Sequence, residues 1–441
     1  MQDVYNIAII GGGILGASLA YFLSSTTNSK VILIEQEYNV ALHTSSRNTG
    51  KVHAPFIYDP VKKKIFAKAA SLGYEMWQSY SNYKNALFKR DGVLEVANDQ
   101  DGIDRLHKYM EWGEANGLRR GQDFKFLDRN ETKAIEPNVY CSSSIYCSKD
   151  ASVDYAYLTK NLIQDCKLFG CTVLIGHRVK RISRSSDNGT LALMLEQGNE
   201  KKINTEFVVN AAGGNSVDIA HSLGVATELT DLHFKGEYWL APMEYNDLTK
   251  RSIYSVPKHP EYPFLDPHWI VRIDRRCEVG PNAVPVFGPY AYNLKKNLKY
   301  FMPKILESLR MSGALKIFFD RQFLFFLSDE LKSSLSKNTM INRAREFLPQ
   351  LRADAFIQRG TSGIRSCLID KDGKFLPDTL VMKKSDSLHI LNYNSPGATG
   401  ALPMAAMVVN QLIEDRIVSP NLIKKSKSLW NIQAISEKMQ L

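Results

Sequence analysis

The chain has 441 residues, of which 44% are hydrophobic and 23% charged, and a formal net charge of +10. One hydrophobic core rarely serves more than about 250–300 residues, so two interleaved domains are expected. Lys and Arg are spread along the chain rather than gathered in a tail, which argues against nucleic acid and leaves anionic ligands or an anionic membrane surface as partners the charge would favour.

In chain order, "VYNIAIIGGGILGASLAYFL", Val4 to Leu23, is uncharged and on length alone could be a membrane span. Three consecutive glycines at its centre, an Asp before it and no basic flank predict instead a buried strand, a tight turn and a helix, and no secretory signal is evident. G-x-G-x-x-G falls on Gly11, Gly13 and Gly16. The first glycine allows the turn, the second lets a pyrophosphate reach the backbone, and the third lets the helix, opening at Ile14, pack on the strand. A second strand, "KVILIEQ", ends in Glu35 and Gln36, where an acid can accept from an adenosine ribose.

These features predict a dinucleotide fold, with NAD or FAD as the nucleotide. An NAD domain would continue as a compact βαβ series, whereas this chain enters "YNVALHTSSRNTGKVHA", rich in hydroxyls and amides. Thr44, Ser45, Arg47, Asn48, Thr49 and Gly50 can run beneath an extended cofactor, which favours FAD. Further on, Ala67 to Trp112 has helical spacing, interrupted by the strand-like "FKRDGVLEVA", and "ASVDYAYLTKNLIQDCKLFG" predicts a capped helix reaching Gly170. "CTVLIGHRVKRISRS" and "LALMLEQGNEKKINTEFVVNAAG" predict strands joined by polar turns, with the Val179 backbone near the adenine and Ala212 and Gly213 at a strand end facing the cofactor.

A second strand-rich region starts near Leu232. In "HWIVRID", alternation puts His268, Ile270 and Arg272 on one face, where imidazole and guanidinium could bind a carboxylate; an Arg272–Asp274 pair on a solvated edge is the competing reading. Ala291 to Leu351 is helical and basic, with eleven Lys or Arg against five Asp or Glu around "IFFDRQFLFFL". A solvated face over a core is its default reading, and a peripheral membrane surface the sharper one. "HILNYNSPGATGALPMAAMVVNQLI" predicts a strand, a turn and an apolar helix, with Pro396, Gly397, Ala398 and Thr399 at the electron-rich end of a flavin. The basic tail after Ile413 is expected as a surface helix or a loose end. Cys141, Cys147, Cys166, Cys171, Cys277 and Cys367 have neither C-x-x-C nor metal-finger spacing, so free thiols, no metal and a reducing, cytoplasmic compartment are expected.

Six segments, taken in order, resemble one family. They are "ALHTSSRNTGKVHAPFIYDP", "FKGEYW", "YPFLDPHWIVRID", "GPNAVPVF", "GIRSCLIDKDGKFLPD" and "NSPGATGALPMA". With the glycine motif they are similar to the FAD-dependent oxidoreductases of the D-amino-acid-oxidase-like superfamily, and within it most to the L-2-hydroxyglutarate dehydrogenase group, over about Tyr5 to Ile413. The fold this implies is α/β (α+β): a Rossmann-like FAD-binding domain assembled from residues 1–85, 146–225 and 351–441, and a mostly antiparallel-sheet substrate domain with helices from 86–145 and 226–350.

The resemblance implies oxidation of a 2-hydroxy acid to a 2-oxo acid, with hydride passing to the flavin and electrons to a quinone or other acceptor. It makes His53 the expected general base, since a neutral histidine can take the hydroxyl proton. Arg272, Arg365 and His268 become the expected carboxylate clamps, and Gly363 and Ile364 are placed at the cofactor. Malate, glycerol 3-phosphate and amino-acid or amine oxidation on the same scaffold are the alternatives, with a non-catalytic flavoprotein a more distant one. Ala54-Pro55 stands where the family pattern has Ser-Gly, and Lys51 where it has an apolar residue, so the substrate loop is expected to differ in shape.

Overall fold

The apolar run before the glycines is the middle of a parallel sheet. In the computed structural model Val4–Ile10 pairs with Val31–Ile34 on one side and Lys201–Asn210 on the other, and Thr172–Leu174 and Ser387–Leu391 extend the sheet in the same sense. Residues 4–184, 190–196, 201–260, 262–264, 266–310 and 312–440 are described; the polar turns expected at 185–189 and 197–200, and Leu265 of "YPFLDPHW", lie outside them. The sheet's strands come from three separated stretches of chain, which brings the glycine turn, Ala211 and the C-terminal helix together.

Both faces of this sheet are covered, so its strands are continuously apolar rather than alternating. Ile7 and Ile9 pack with Leu19, Phe22, Leu402 and Val409, whereas Ala8 and Ile10 pack with Leu193, Leu223 and Leu391. The first layer consists of Ile14–Thr26, Lys64–Tyr83, Tyr155–Leu168 and Gly397–Glu414. Every residue of Ile14–Thr26 is buried, as expected of a core helix, and no helix among the described residues is long and apolar enough to cross a membrane.

A second sheet of eight strands runs Gln358–Arg359, Trp239–Leu240, Cys277–Gly280, His268–Val271, Ser252–Ser255, Val93–Ala97, Ser143–Cys147, Phe124–Asp128. It is antiparallel except where Ser252–Ser255 meets Val93–Ala97. Trp269 and Val271 pack on Phe347 and Leu348, while Ile270 packs with Phe56 and Leu106 on the other side, the two faces that alternation predicts. The strand ends at Val271, so Arg272 belongs to the turn that follows. Asp274 pairs with Arg276 rather than Arg272. A third, antiparallel sheet joins Val284–Val286, Thr230–Gly236 and Gly363–Ile369.

The basic segment forms the helices Leu294–Arg310, Ser312–Phe318, Arg321–Leu335 and Lys337–Arg345. The tail is not a loose end. Ile432–Gln440 buries Ile435 and Met439 in the first core, and Trp430 lies against Tyr21, Phe22 and Tyr80. All six cysteines are free and buried.

Candidate active site

Gly11 has φ +113°, and a Cβ there would run into the carbonyl oxygen of Ala211. A Cβ on Gly16 would strike the carbonyl of Gly11, so the third glycine seats the helix on the turn. A cavity of about 560 Å³ opens at this point, within the range of small-molecule sites. It is lined by Gly11, Gly13, Ile14, Glu35, Gln36, Thr44, Ser45, Arg47, Asn48, Thr49, Val179, Ala212, Gly213, Gly363, Ile364, Pro396, Gly397, Ala398 and Thr399. Gly16 and Gly50 do not line it: the first serves packing, and the second, at φ +73°, turns the loop through a bond from its N–H to Asn48 Oδ1.

This end fits FAD. Helices Ile14–Thr26 and Gly397–Glu414 both start with no side-chain cap from their own N-cap residue, so N–H groups and positive dipole ends are available to anionic groups. Ser45 Oγ takes only the Ile14 N–H, at 2.9 Å. Glu35 is oriented by the N–H groups of Gly12 (2.6 Å) and Glu37 (2.9 Å), and its oxygens keep lone pairs for ribose hydroxyls. Burial pushes its carboxyl above the ordinary range.

The other end of the cavity is walled by His53, His268, Tyr238, Tyr254 and Arg365 with Phe234 and Phe264. His53 follows the short strand Lys51–Val52, and its N–H donates to Thr399 Oγ1 at 3.0 Å, which ties it to the first turn of the C-terminal helix. The surface that His53 keeps open faces the cavity it lines. Burial, then the charges of Lys51 and Arg365, lower its pKa to about 3, so the ring is neutral. His268 is lowered to about 3 by burial, His53 and Arg365. The Tyr254 ring lies 4.1 Å from that of His268 and 6.1 Å from that of His53.

Four buried polar atoms here, His53 Nδ1, both ring nitrogens of His268 and the Tyr254 hydroxyl, have no hydrogen-bond partner among the described residues. Each unsatisfied group costs roughly 1–3 kcal/mol, so their grouping around one cavity marks a place for a polar ligand. Arg365 donates to Pro263 O at 3.2 Å and has no carboxylate partner among the described residues. Arg272 departs from its expected role as a clamp. It is outside the lining, donates to Asn48 O at 2.8 Å and pairs with Glu278 at 2.5 Å, so it holds the loop from Thr44 to Gly50 in place.

Sequence reasoning passed over Tyr238, Tyr254 and Asp150. Tyr238 was visible in "FKGEYW", but Tyr254 and Asp150 carry no local signal. Asp91, with Asp150 nearby, accounts for the unusual Lys51, which is fully buried: its ammonium donates to Asp91 (3.1 Å) and Ser152 (2.8 Å) and lies 3.9 Å from Asp150, which also accepts from Ala54 N at 3.3 Å. Pro55 opens the one-turn helix Pro55–Ile57, where a missing N–H is harmless.

A family model described as FAD dependent oxidoreductase matches residues 6–411. The chain belongs to this family of FAD-dependent oxidoreductases. FAD is therefore its cofactor and oxidation–reduction its chemistry. This flavoprotein is 28% identical over 420 residues to the mitochondrial L-2-hydroxyglutarate dehydrogenase of Caenorhabditis elegans, covering 93% of each chain. It is 28% identical over 408 residues to the L-2-hydroxyglutarate dehydrogenase of Indibacter alkaliphilus, covering 92% of this chain and 98% of that one. Its fold is shared with the FAD-bound L-alpha-glycerophosphate oxidase of Mycoplasma pneumoniae, with a TM-score of 0.73 at 20% identity over 96% of this chain and 97% of that one.

Proposed function

We propose that this flavoprotein oxidises an L-2-hydroxy dicarboxylate of the L-2-hydroxyglutarate type to the 2-oxo acid and passes the electrons to a quinone or another acceptor. The observation that carries this reading is a neutral His53 beside Arg365, in an aromatic-walled pocket that continues into the FAD cradle. The names of the curated relatives support the substrate class.

FAD, when bound, supplies the acceptor for the hydride that leaves the substrate carbon. His53 takes the hydroxyl proton, a task for which the ring must arrive neutral. A ring with a pKa near 3 is a weak base by itself. Incoming carboxylates add negative charge beside it and raise its proton affinity, which couples proton acceptance to substrate binding. Arg365 offers a planar, two-pronged contact to one carboxylate, and the free groups of His268 and Tyr254 bond the rest of the substrate. Phe234, Phe264 and Tyr238 exclude water from the pocket.

The test is a visible spectrum of the FAD-loaded protein before and after anaerobic addition of L-2-hydroxyglutarate, malate, glycerol 3-phosphate and a set of amino acids. Bleaching at the lowest concentration with L-2-hydroxyglutarate is expected. Bleaching by amino acids alone would overturn the substrate class, and a flavin that none of them reduces would point to a non-catalytic flavoprotein.

A further inference from the structure

We propose that helix Leu294–Arg310 is a lipid-docking face that seats the protein on an anionic membrane surface, the helix lying in the plane of the headgroups. Its polar side faces inward. Lys304, 7% exposed, donates to Asp231 at 2.7 Å and Glu307 at 3.1 Å, Glu307 accepts from Thr230, and Asn297 Oδ1 accepts from Phe287 N at 2.7 Å. Its apolar side faces outward: Leu294, Leu298, Phe301, Met302 and Leu306 are 73, 62, 39, 57 and 51% exposed. Positions i, i+4, i+7, i+8 and i+12 share one helix face, so this is a continuous stripe. A helix that served only the fold would turn that stripe inward.

The surroundings repeat the pattern. Phe318, Phe319, Leu324 and Phe325 are also exposed, next to exposed Lys316 and Arg321. Of the 24 large apolar residues left exposed among the described residues, 11 lie between 294 and 335, a tenth of the chain. That concentration is what distinguishes a docking face from the scattered exposure of any globular surface.

Charge selects the occupant. Lys295, Lys296 and Lys299 are exposed along the stripe, and the segment from Ala291 to Leu351 carries eleven basic against five acidic residues. A second copy of the chain would bring the same positive charge to the contact, whereas an anionic bilayer complements it and accepts the apolar stripe between its headgroups. From Leu294 to Leu306 the stripe is about 18 Å long, short of the ~30 Å hydrocarbon core, so the helix lies in the interface and does not cross it. Its inward side is fixed to the cavity wall: Asp231 lies 3.6 Å from His233, which bonds Ser366 at 2.9 Å, and Asp231 and Ser366 both line the cavity.

The experiment is flotation of the FAD-loaded full chain with vesicles of phosphatidylcholine alone or mixed with phosphatidylglycerol, together with light scattering without lipid. Wild type should float only with the anionic vesicles, and less as salt rises. Lys295→Ala with Lys299→Ala should weaken binding roughly thirtyfold, and Leu298→Asn with Met302→Asn by at least roughly tenfold. Flavin content and reduction by substrate should be unchanged in both. Equal flotation of wild type and variants overturns the proposal, as does no flotation at low salt. A wild-type dimer that becomes monomeric with Leu298→Asn and Met302→Asn and ignores vesicles assigns the face to a second copy and also overturns it. Flotation without flavin reduction leaves the docking face standing and counts only against the proposed substrate.

Discussion

The two ends of the cavity are built from different materials. The cofactor end is mostly backbone: glycine turns, two helix starts without caps of their own and the loop from Thr44 to Gly50, with Glu35 as its main charged side chain. The other end is made of side chains drawn from four separate stretches of chain: Arg365, and two neutral histidines and a tyrosine whose ring nitrogens and hydroxyl include atoms without partners among the described residues. A backbone site depends on a few glycines and tolerates most other change. A side-chain site depends on the charge state of each group and on the burial that sets it.

The largest break in that comparison is expected from Gly11→Val. A Cβ there meets the Ala211 carbonyl, and φ +113° is strained for any L side chain. The variant should lose FAD during purification and show a lowered Tm, read as the flavin-to-protein absorbance ratio and by calorimetry. Retention of full FAD would refute a backbone-built cradle. His53→Gln attacks the other end: FAD content should hold while the rate of flavin reduction by substrate, followed by anaerobic stopped flow, falls roughly 10²–10⁴-fold. A parallel loss of FAD would assign His53 to the cradle instead. Arg365→Lys keeps the charge but not the two-pronged contact, so KM for the dicarboxylate should rise by roughly tenfold to a hundredfold with a smaller change in kcat. An unchanged KM would remove Arg365 from the substrate.

The same contrast explains what could be read from the sequence. Gly11, Gly13, Gly16 and Glu35 were legible because strand, turn, helix and strand follow one another, and local spacing carries the geometry. Val179, Ala212 and Thr399 needed the inference that three distant segments share a sheet, which continuous apolar runs support. The proposed substrate end offers no such rule. His53 and Arg365 stand out only through the family resemblance, and Arg272 reads as a clamp because alternation gives the face of a strand but not where the strand ends. Its partner, Glu278, lies on the next strand, and no spacing in "HWIVRID" announces it. Tyr254 reaches the cavity through the pairings of strand Ser252–Ser255, a tertiary fact with no local trace. The outward stripe of Leu294–Arg310 was legible as amphipathic but not as inverted, because sequence does not say which face of a helix the core takes.

The smallest effect expected concerns how far burial of charge extends behind the histidine end of the cavity. Glu95, 3% exposed on strand Val93–Ala97, is raised by burial to about 8. Its unfolded value is about 4.3. Below that value both states hold the proton and the group leaves stability unaffected. As pH rises towards 8 the unfolded chain releases a proton that the folded chain retains, so the contribution to stability is lost through this window and levels off above it. Glu95→Gln stays neutral throughout. Its Tm should therefore match or fall slightly below wild type near about pH 5 and exceed it near about pH 9, a difference worth a few kcal/mol at most. Asp150 is raised to about 8 in the same way, but Lys51 opposes the shift, which makes Glu95 the cleaner probe. A Tm difference that stays constant with pH would mean that the Glu95 carboxylate is solvated, and burial would then set charge states only at the pocket wall rather than through the sheet behind it.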